Sequence, residues 1–478
     1  MPAALGAFAL AACIALPAGA QEVPGLRGTV SAEGTTATRT AGGRSAAART
    51  AARESRGVSS AQPVADAPLP ERLDEPEEAN IRAGLDNERT GAIEGQPRPR
   101  EDDAYAPLGI RAGTFLLRPR LEQGIGWTSN ASGAAGGEAS TYSETTLRLD
   151  AESDWSRHRG SFSADGSYRK SFAGERIDEI DGGVSGRLDF DLAHELAAFA
   201  AAGYRVRPES ASTPGTVAAS VDRPLRHTID ASAGISKDAG PVRLGVTGAL
   251  IRETFGDAEL ADGTTVSQRE RDSTLATATL RAGYALSPAL MPFVEGEIGR
   301  RIHDLKRDSS GFARSADRYA LRGGVAVDLG EKFSGEVSLG WLTERPDDGR
   351  LDPISGLSVA GNLAWSPVRG TVVGLAASTT VEGATAPGDS GSLLYSGTLS
   401  ARRDLRANLT GEAAAGLDWR DYSGGGHDLV MRGEASLTWW MNRHTGITAR
   451  ARHEVQESSL PGRDWDATSV WLGMTLQR

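Results

Sequence analysis

Charged side chains recur at every second position in several stretches of this chain. Arg148, Asp150, Glu152 and Asp154 form one set, and Glu295 with Glu297 another. Arg432 with Glu434, and Arg450, Arg452 and Glu454, repeat the pattern. That spacing places each set on one face of a β-strand. Such residues pair across strands and meet water, either as the lining of a polar passage or as charges that only tile an interior. Other chemistry finds little support. The seven histidines, His158, His194, His227, His303, His427, His444 and His453, are scattered and none has metal-ligand spacing. His227 near Ser232 and His444 near Thr445 are the nearest approach to a base beside a nucleophile. Ser423-Gly424-Gly425-Gly426 lacks the following Lys-Ser/Thr and helix of a phosphate cradle and reads as a loop tip. No enzymatic activity, metal or cofactor is expected.

The composition narrows the class. The chain has 478 residues with a net charge of -11, which argues against a general nucleic-acid binder. One cysteine, Cys13, leaves no internal disulfide framework and no Cys-cluster metal site. After the N-terminus no apolar run is long enough for a membrane-spanning helix. Glycine supplies 59 of 478 residues, well above the usual ~7%.

Residues 3–20 are Ala/Leu-rich and apolar and end in Ala18-Gly19-Ala20, with small residues where a signal peptidase needs them. No Lys or Arg precedes the stretch. Leu10-Ala11-Ala12-Cys13 also has the form of a lipoprotein cleavage box. The expectation is a signal peptide over 1–20. Residues 21–107 hold few apolar side chains and turn acidic from Glu71 to Asp103. Too little can be buried there to offset chain entropy, so a disordered periplasmic linker is expected. It reads as a spacer, or as a segment that binds peptidoglycan, a partner or the barrel interior.

Residues 108–478 alternate with period two. Val470, Leu472, Met474 and Leu476 share one face, and Phe333, Val337, Leu339 and Trp341 share another. About eighteen such stretches can be placed, with sixteen as the alternative count. Very short turns, such as Gly330-Glu331-Lys332 and Asn442-Arg443, alternate along much of the chain with longer polar connections such as 304–317. Trp127, Trp155, Trp341, Trp365, Trp419 and Trp439 fall at or near strand ends, most on the apolar face. Strand-end aromatics and alternating loop lengths describe a transmembrane antiparallel β-barrel with an aromatic girdle. The charged set, from Arg148 to Arg452, then lines the lumen, because an Arg or Lys on the lipid face costs about 2–4 kcal/mol near the midplane. The alternating Met474-Thr475-Leu476 before Gln477-Arg478 resembles in part the terminal strand read by barrel-assembly machinery.

Three stretches carry a resemblance: residues 107–119, residues 124–130, and Leu286-Ser287-Pro288-Ala289-Leu290-Met291-Pro292-Phe293-Val294-Glu295-Gly296. Over 107–478 the sequence resembles the beta-barrel porin type 2 family of Gram-negative, often rhizobial, outer-membrane proteins. That resemblance implies an outer-membrane barrel surrounded by lipid and brings no catalytic residues. The expected function is a porin-like passive channel for small polar solutes or ions, with the acidic surplus favouring cations. The alternative is a structural or interaction barrel that displays surface loops or associates with surface polysaccharide.

Overall fold

A computed structural model describes residues 105–192, 195–209, 223–260, 262–383 and 388–478, together with the dipeptide 20–21. The signal peptide and the linker expected over 1–107 lie outside the described residues, save for that dipeptide and 105–107.

Eighteen long strands follow one another without an intervening α-helix among the described residues. They are β1 (Phe115–Thr128), β2 (Ser140–Ser153), β3 (Arg159–Gly174), β4 (Asp178–Asp191), β5 (Leu196–Pro208) and β6 (Leu225–Ala239). Next come β7 (Val242–Phe255), β8 (Ser273–Tyr284), β9 (Leu290–His303), β10 (Ala316–Asp328), β11 (Phe333–Pro346) and β12 (Ile354–Ser366). The last are β13 (Thr371–Gly383), β14 (Gly391–Arg406), β15 (Leu409–Tyr422), β16 (His427–Asn442), β17 (Thr445–Ser458) and β18 (Trp465–Gln477).

Each strand pairs antiparallel with the next, and β18 returns to β1 from Ser469↔Thr128 to Gln477↔Arg120. The sheet is thereby closed, and its strands keep no free edge along that seam. Where β18 runs out, Arg478 N donates to the Pro119 carbonyl at 3.2 Å. Pro119, which has no N–H to offer, thus sits where the ladder ends. Beyond it the short strand Ile110–Ala112 pairs with Phe115–Leu117 and covers the remaining edge.

The start of β1, the end of β18 and the short turns share one rim. Gly240-Pro241 joins β6 to β7 with Gly240 at φ 60°, the left-handed position that a two-residue hairpin reserves for glycine. At Arg443-His444 the Asn442 side chain accepts from the His444 and Thr445 amides at 2.8 and 3.0 Å. The longer loops that are described throughout, 129–139, 304–315 and 347–353, share the opposite rim.

The strand period sorts the side chains. Ile125, Leu147, Leu280, Val294, Ile298, Leu321, Leu339, Leu399 and Leu472 are exposed on the outer face. A band of that size would be untenable in water and is what lipid requires. Ahead of β8 the chain makes a single helical turn, Arg269–Arg271, and the strand begins at Ser273. Here polar side chains serve the loop instead of a ladder. Gln268 Nε2 donates to the Gly256 carbonyl at 2.8 Å, and Arg271 pairs with Glu209.

Replacing Ile298, near the middle of β9 on the outer face, with Arg should destabilise the inserted barrel by about 2–4 kcal/mol. Urea unfolding in lipid vesicles measures it; a loss below ~0.5 kcal/mol would contradict the outward assignment.

Candidate functional site

The inner face carries the buried ionisable residues of the wall, and no two sectors carry them alike. On β8–β11 they form a compact lattice. Arg318 Nε donates to Glu297 at 2.8 Å and Arg322 Nη2 to the same carboxylate at 2.8 Å. Arg322 Nε reaches Glu295 at 2.5 Å, and Arg301 Nε reaches Glu344 at 2.6 Å. Arg281 on β8 spans to Glu336 on β11 at 2.7 Å and stacks 3.4 Å over Phe293. Such reaches over intervening strands are available only on the concave side of the wall. Glu295, Glu297, Arg318, Arg322, Glu336 and Glu344 are all buried. Taking ions out of water is costly unless they are paired and hydrogen-bonded, and here each is.

A second packed sector runs from β16 through the seam to β2. Arg450 lies 3.4 Å from Glu144 and 4.8 Å over the ring of Trp471. Arg452 bridges Glu434 and Glu454 at 3.9 and 3.0 Å, and Arg432 pairs with Asp418. Glu152 is held by Arg118 and Arg159 at 3.5 and 2.7 Å. Tyr142 and Trp471 are buried inside. Gly124 and Gly126 make room for them: a Cβ there would stand 2.5 Å from Trp471 and from Tyr142.

The third sector, β3–β7, is different. Ser161, Ser163, Asp165, Ser167 and Arg169 on β3 are only half-buried, as are Asp181, Arg187 and Asp189 on β4. The same holds for Ala201, Gly203 and Arg205 on β5, for Asp230 on β6, and for Gly245, Thr247 and Ala249 on β7. These side chains are mostly small. Here Arg205 sits between Asp165 and Asp181 at 3.1 and 3.3 Å. Asp230 points at the same place, since a Cβ on Gly203 would meet its Oδ1 at 2.5 Å. Three carboxylates thus surround one guanidinium.

The sequence-selected residues divide accordingly. Arg148, Asp150, Glu152, Glu295, Glu297, Arg432, Glu434, Arg450 and Arg452 all stand on the inner parity of their strands. Asp154 does not lie in the wall. It follows the end of β2 in an exposed turn and pairs with Arg111 at 2.9 Å. The six chosen tryptophans are all on the outer face, from 36% exposed at Trp419 to 58% at Trp341. Trp127, Trp341 and Trp419 stand toward the loop rim, and Trp155, Trp365 and Trp439 toward the turn rim. Trp155 anchors its turn by donating to Thr114 Oγ1 at 3.0 Å. Sequence reasoning missed the Asp165–Asp181–Arg205–Asp230 group, whose members come from four strands.

Above the wall, the loops knit together. Asp308 accepts from the Phe312 amide at 2.8 Å and from Arg314 Nε at 2.6 Å. Asp348 accepts from Arg350 Nε at 2.8 Å and the Ala313 amide at 3.1 Å, while Arg350 lies 4.1 Å over Phe312. The Arg350 guanidinium and the Ala313 amide hold the Asp348 carboxyl well below the ordinary aspartate range. At Asp308 burial works the other way, but the Phe312 amide and Arg314 outweigh it and the net shift is downward. A lowered folded-state pKa gives stability that is present above the ordinary aspartate value, ~4, and is lost as pH falls through the folded value. Pepsin cleavage within 304–315 should therefore rise between about pH 4 and pH 2 by more than its rate on an unstructured peptide of the same residues. A loop-to-peptide ratio that stays flat over that window would contradict the carboxylate ties.

The family model described as "Putative beta-barrel porin 2" matches residues 103–478. Among solved structures the chain is similar to the outer membrane protein OpdK of Pseudomonas aeruginosa, at 10% identity over 76% of this chain and 99% of that one, TM-score 0.35. It is similar also to OccAB4 of Acinetobacter baumannii, at 11% identity over 76% and 98% of the two chains, TM-score 0.36. The siderophore receptor PiuA of A. baumannii gives 9% identity over 77% and 82%, TM-score 0.38. No curated protein matches the sequence.

Proposed function

Because this chain belongs to the family described as putative beta-barrel porin 2, and is thereby a porin-like barrel of the Gram-negative outer membrane, we propose that it is a passive channel for small polar solutes and ions. The supporting observation is the contrast between sectors. The inner face of β9–β11 is buried under its own ion pairs, whereas that of β3–β7 is mostly half-buried and rich in Ser, Gly, Ala and Asp, with Arg205 among them. The path for solute runs along β3–β7, off the barrel axis. The lumen-lining set chosen from sequence is a supporting wall: Glu295 and Glu297 are held by Arg318 and Arg322, Arg432 by Asp418, Arg450 by Glu144, and Arg452 by Glu434, while Arg148 and Asp150 border the open sector.

Small hydroxyl-bearing side chains suit hydrated solutes, which exchange hydrogen bonds with water at little net cost. Asp165, Asp181 and Asp230 around Arg205 leave a local negative surplus on this part of the wall. A cation is therefore favoured over an anion along this path. The six outward tryptophans act as the girdle at the two lipid–water interfaces. Export by the signal over 1–20 and insertion by barrel-assembly machinery, reading β18, complete this reading.

Planar-bilayer recording of the refolded protein tests it. Stable conductance steps are expected, with a reversal potential in a salt gradient of the sign for cation preference. The pair Asp165→Asn with Asp230→Asn should shift that potential toward the anion side. Absence of any conductance from folded, inserted protein would overturn the channel and favour a barrel that displays its loops.

A further inference from the structure

At the loop rim the wall is interrupted. The β12–β13 ladder runs from Trp365↔Val373 to Ala360↔Ser378 and ends there. Both strands continue, β12 back to Ile354 and β13 on to Gly383. Meanwhile β13 stays paired with β14 as far as Gly383↔Gly391. The arms Thr379–Gly383 and Gly391–Tyr395 have left β12 together.

They rest on the inner face of the neighbouring wall. Val381 and Leu393 are buried in one cluster with Ala320, Leu342 and Ile354, and Tyr395 packs against it. A Cβ on Gly356 would stand 2.6 Å from Leu393 Cδ1 and 2.8 Å from the Tyr395 hydroxyl. Arg301 on β9 donates to the Val381 carbonyl at 3.5 Å, and Arg314 to the Asp389 carbonyl at 2.7 Å. In an unbroken wall β9 and β13 stand four strand spacings apart, ~19 Å. The arms therefore lean inward across β10–β12.

Their own residue pattern is that of a wall. Leu375 and Leu399, on the parity of Val381 and Leu393, are exposed on the outer face. Thr380, Glu382 and Ser392 hold the inner parity. Extending the β12 register would set Thr379 opposite Val359 and Val381 opposite Leu357, outward residue beside outward residue. Tyr395, opposite Trp419, would then join the outward aromatics. The surface beneath the arms is patterned for the alternative. Ala320, Leu342, Ile354 and Gly356 make an apolar inner patch, where the same strands nearer the turns carry Arg322, Glu336 and Ser358.

Two kinds of gain therefore oppose each other. The tucked position buries the apolar cluster but forgoes the last part of the ladder, where Val359 N donates instead to Thr379 Oγ1 at 2.9 Å. The zipped position restores ladder hydrogen bonds and uncovers the patch. Glu382 keeps Arg420 at 2.6 Å through the continuous β14–β15 pairing, so that tie opposes neither. We propose that the arms Thr379–Gly383 and Gly391–Tyr395 exchange as one unit between the tucked position and a zipped position in the wall. The exchange sets the width of the outer mouth, a consequence that rests on the channel reading above.

Disulfide trapping in a Cys13→Ser background tests the exchange separately from conduction. Gly356→Cys with Leu393→Cys locks the tucked position, and Leu357→Cys with Val381→Cys locks the zipped one. Both pairs should cross-link in heat-modifiable, inserted protein. The zipped lock should then raise single-channel conductance about twofold or more over the tucked lock, with reduction abolishing the difference. Failure of the Leu357/Val381 pair to cross-link while Gly356/Leu393 does would overturn the exchange. Equal conductance in the two locked forms would overturn its effect on the mouth. Two good cross-links with no conductance in any form would sustain the exchange and sink the channel.

Discussion

The backbone hydrogen bond is the interaction on which everything else here depends. Inside a bilayer an unpaired N–H or C=O costs several kcal/mol, so a strand-built protein must return to its own beginning. The β18–β1 seam does this, and the Ile110–Ala112 hairpin covers what the C-terminus leaves over. Once the sheet is closed, each side chain faces either lipid or the inside. The period of the strand then carries most leucines and the six strand-end tryptophans outward, and the paired arginines and carboxylates of β8–β11 inward.

Closure also concentrates charge in a small interior, and the ions must satisfy one another. They do so unevenly. On β9–β11 Arg318 and Arg322 are each shared between two carboxylates of neighbouring strands, and from β16 to β2 Tyr142 and Trp471 pack among the charges. Both sectors are thereby filled. Residues on β3–β7 are mostly small and only half-buried, and the proposed passage is placed there. Arg314 links loop 304–315 to Asp389, and Ser309 links it to Glu270 at 2.8 Å, over the crowded side of the barrel.

Much of the wall was legible in the sequence. Each strand needs only period-two alternation and a turn signal, and both are local. The strand-end tryptophans and the inward charges follow from the same parity. What escaped depends on register between strands, which no single strand encodes. Asp165, Asp181, Arg205 and Asp230 meet only because four strands align at one height. Asp154 was assigned to the wall by parity, yet β2 ends one residue earlier. The inward lean of Thr379–Gly383 and Gly391–Tyr395 was invisible because their alternation suits an intact wall equally well. The complementary patch at Ala320, Leu342 and Ile354 lies on other strands.

Thiol accessibility along the inner face tests most directly whether the passage follows β3–β7. Single cysteines placed at Ser163, Ser185 and Thr247 are compared with one at Ser358, in a Cys13→Ser background, using a charged membrane-impermeant thiol reagent. The account predicts fast modification at the first three with a stepwise fall in conductance, and slow modification without effect at Ser358. Equal rates on both sides, or block only from Ser358, would contradict it.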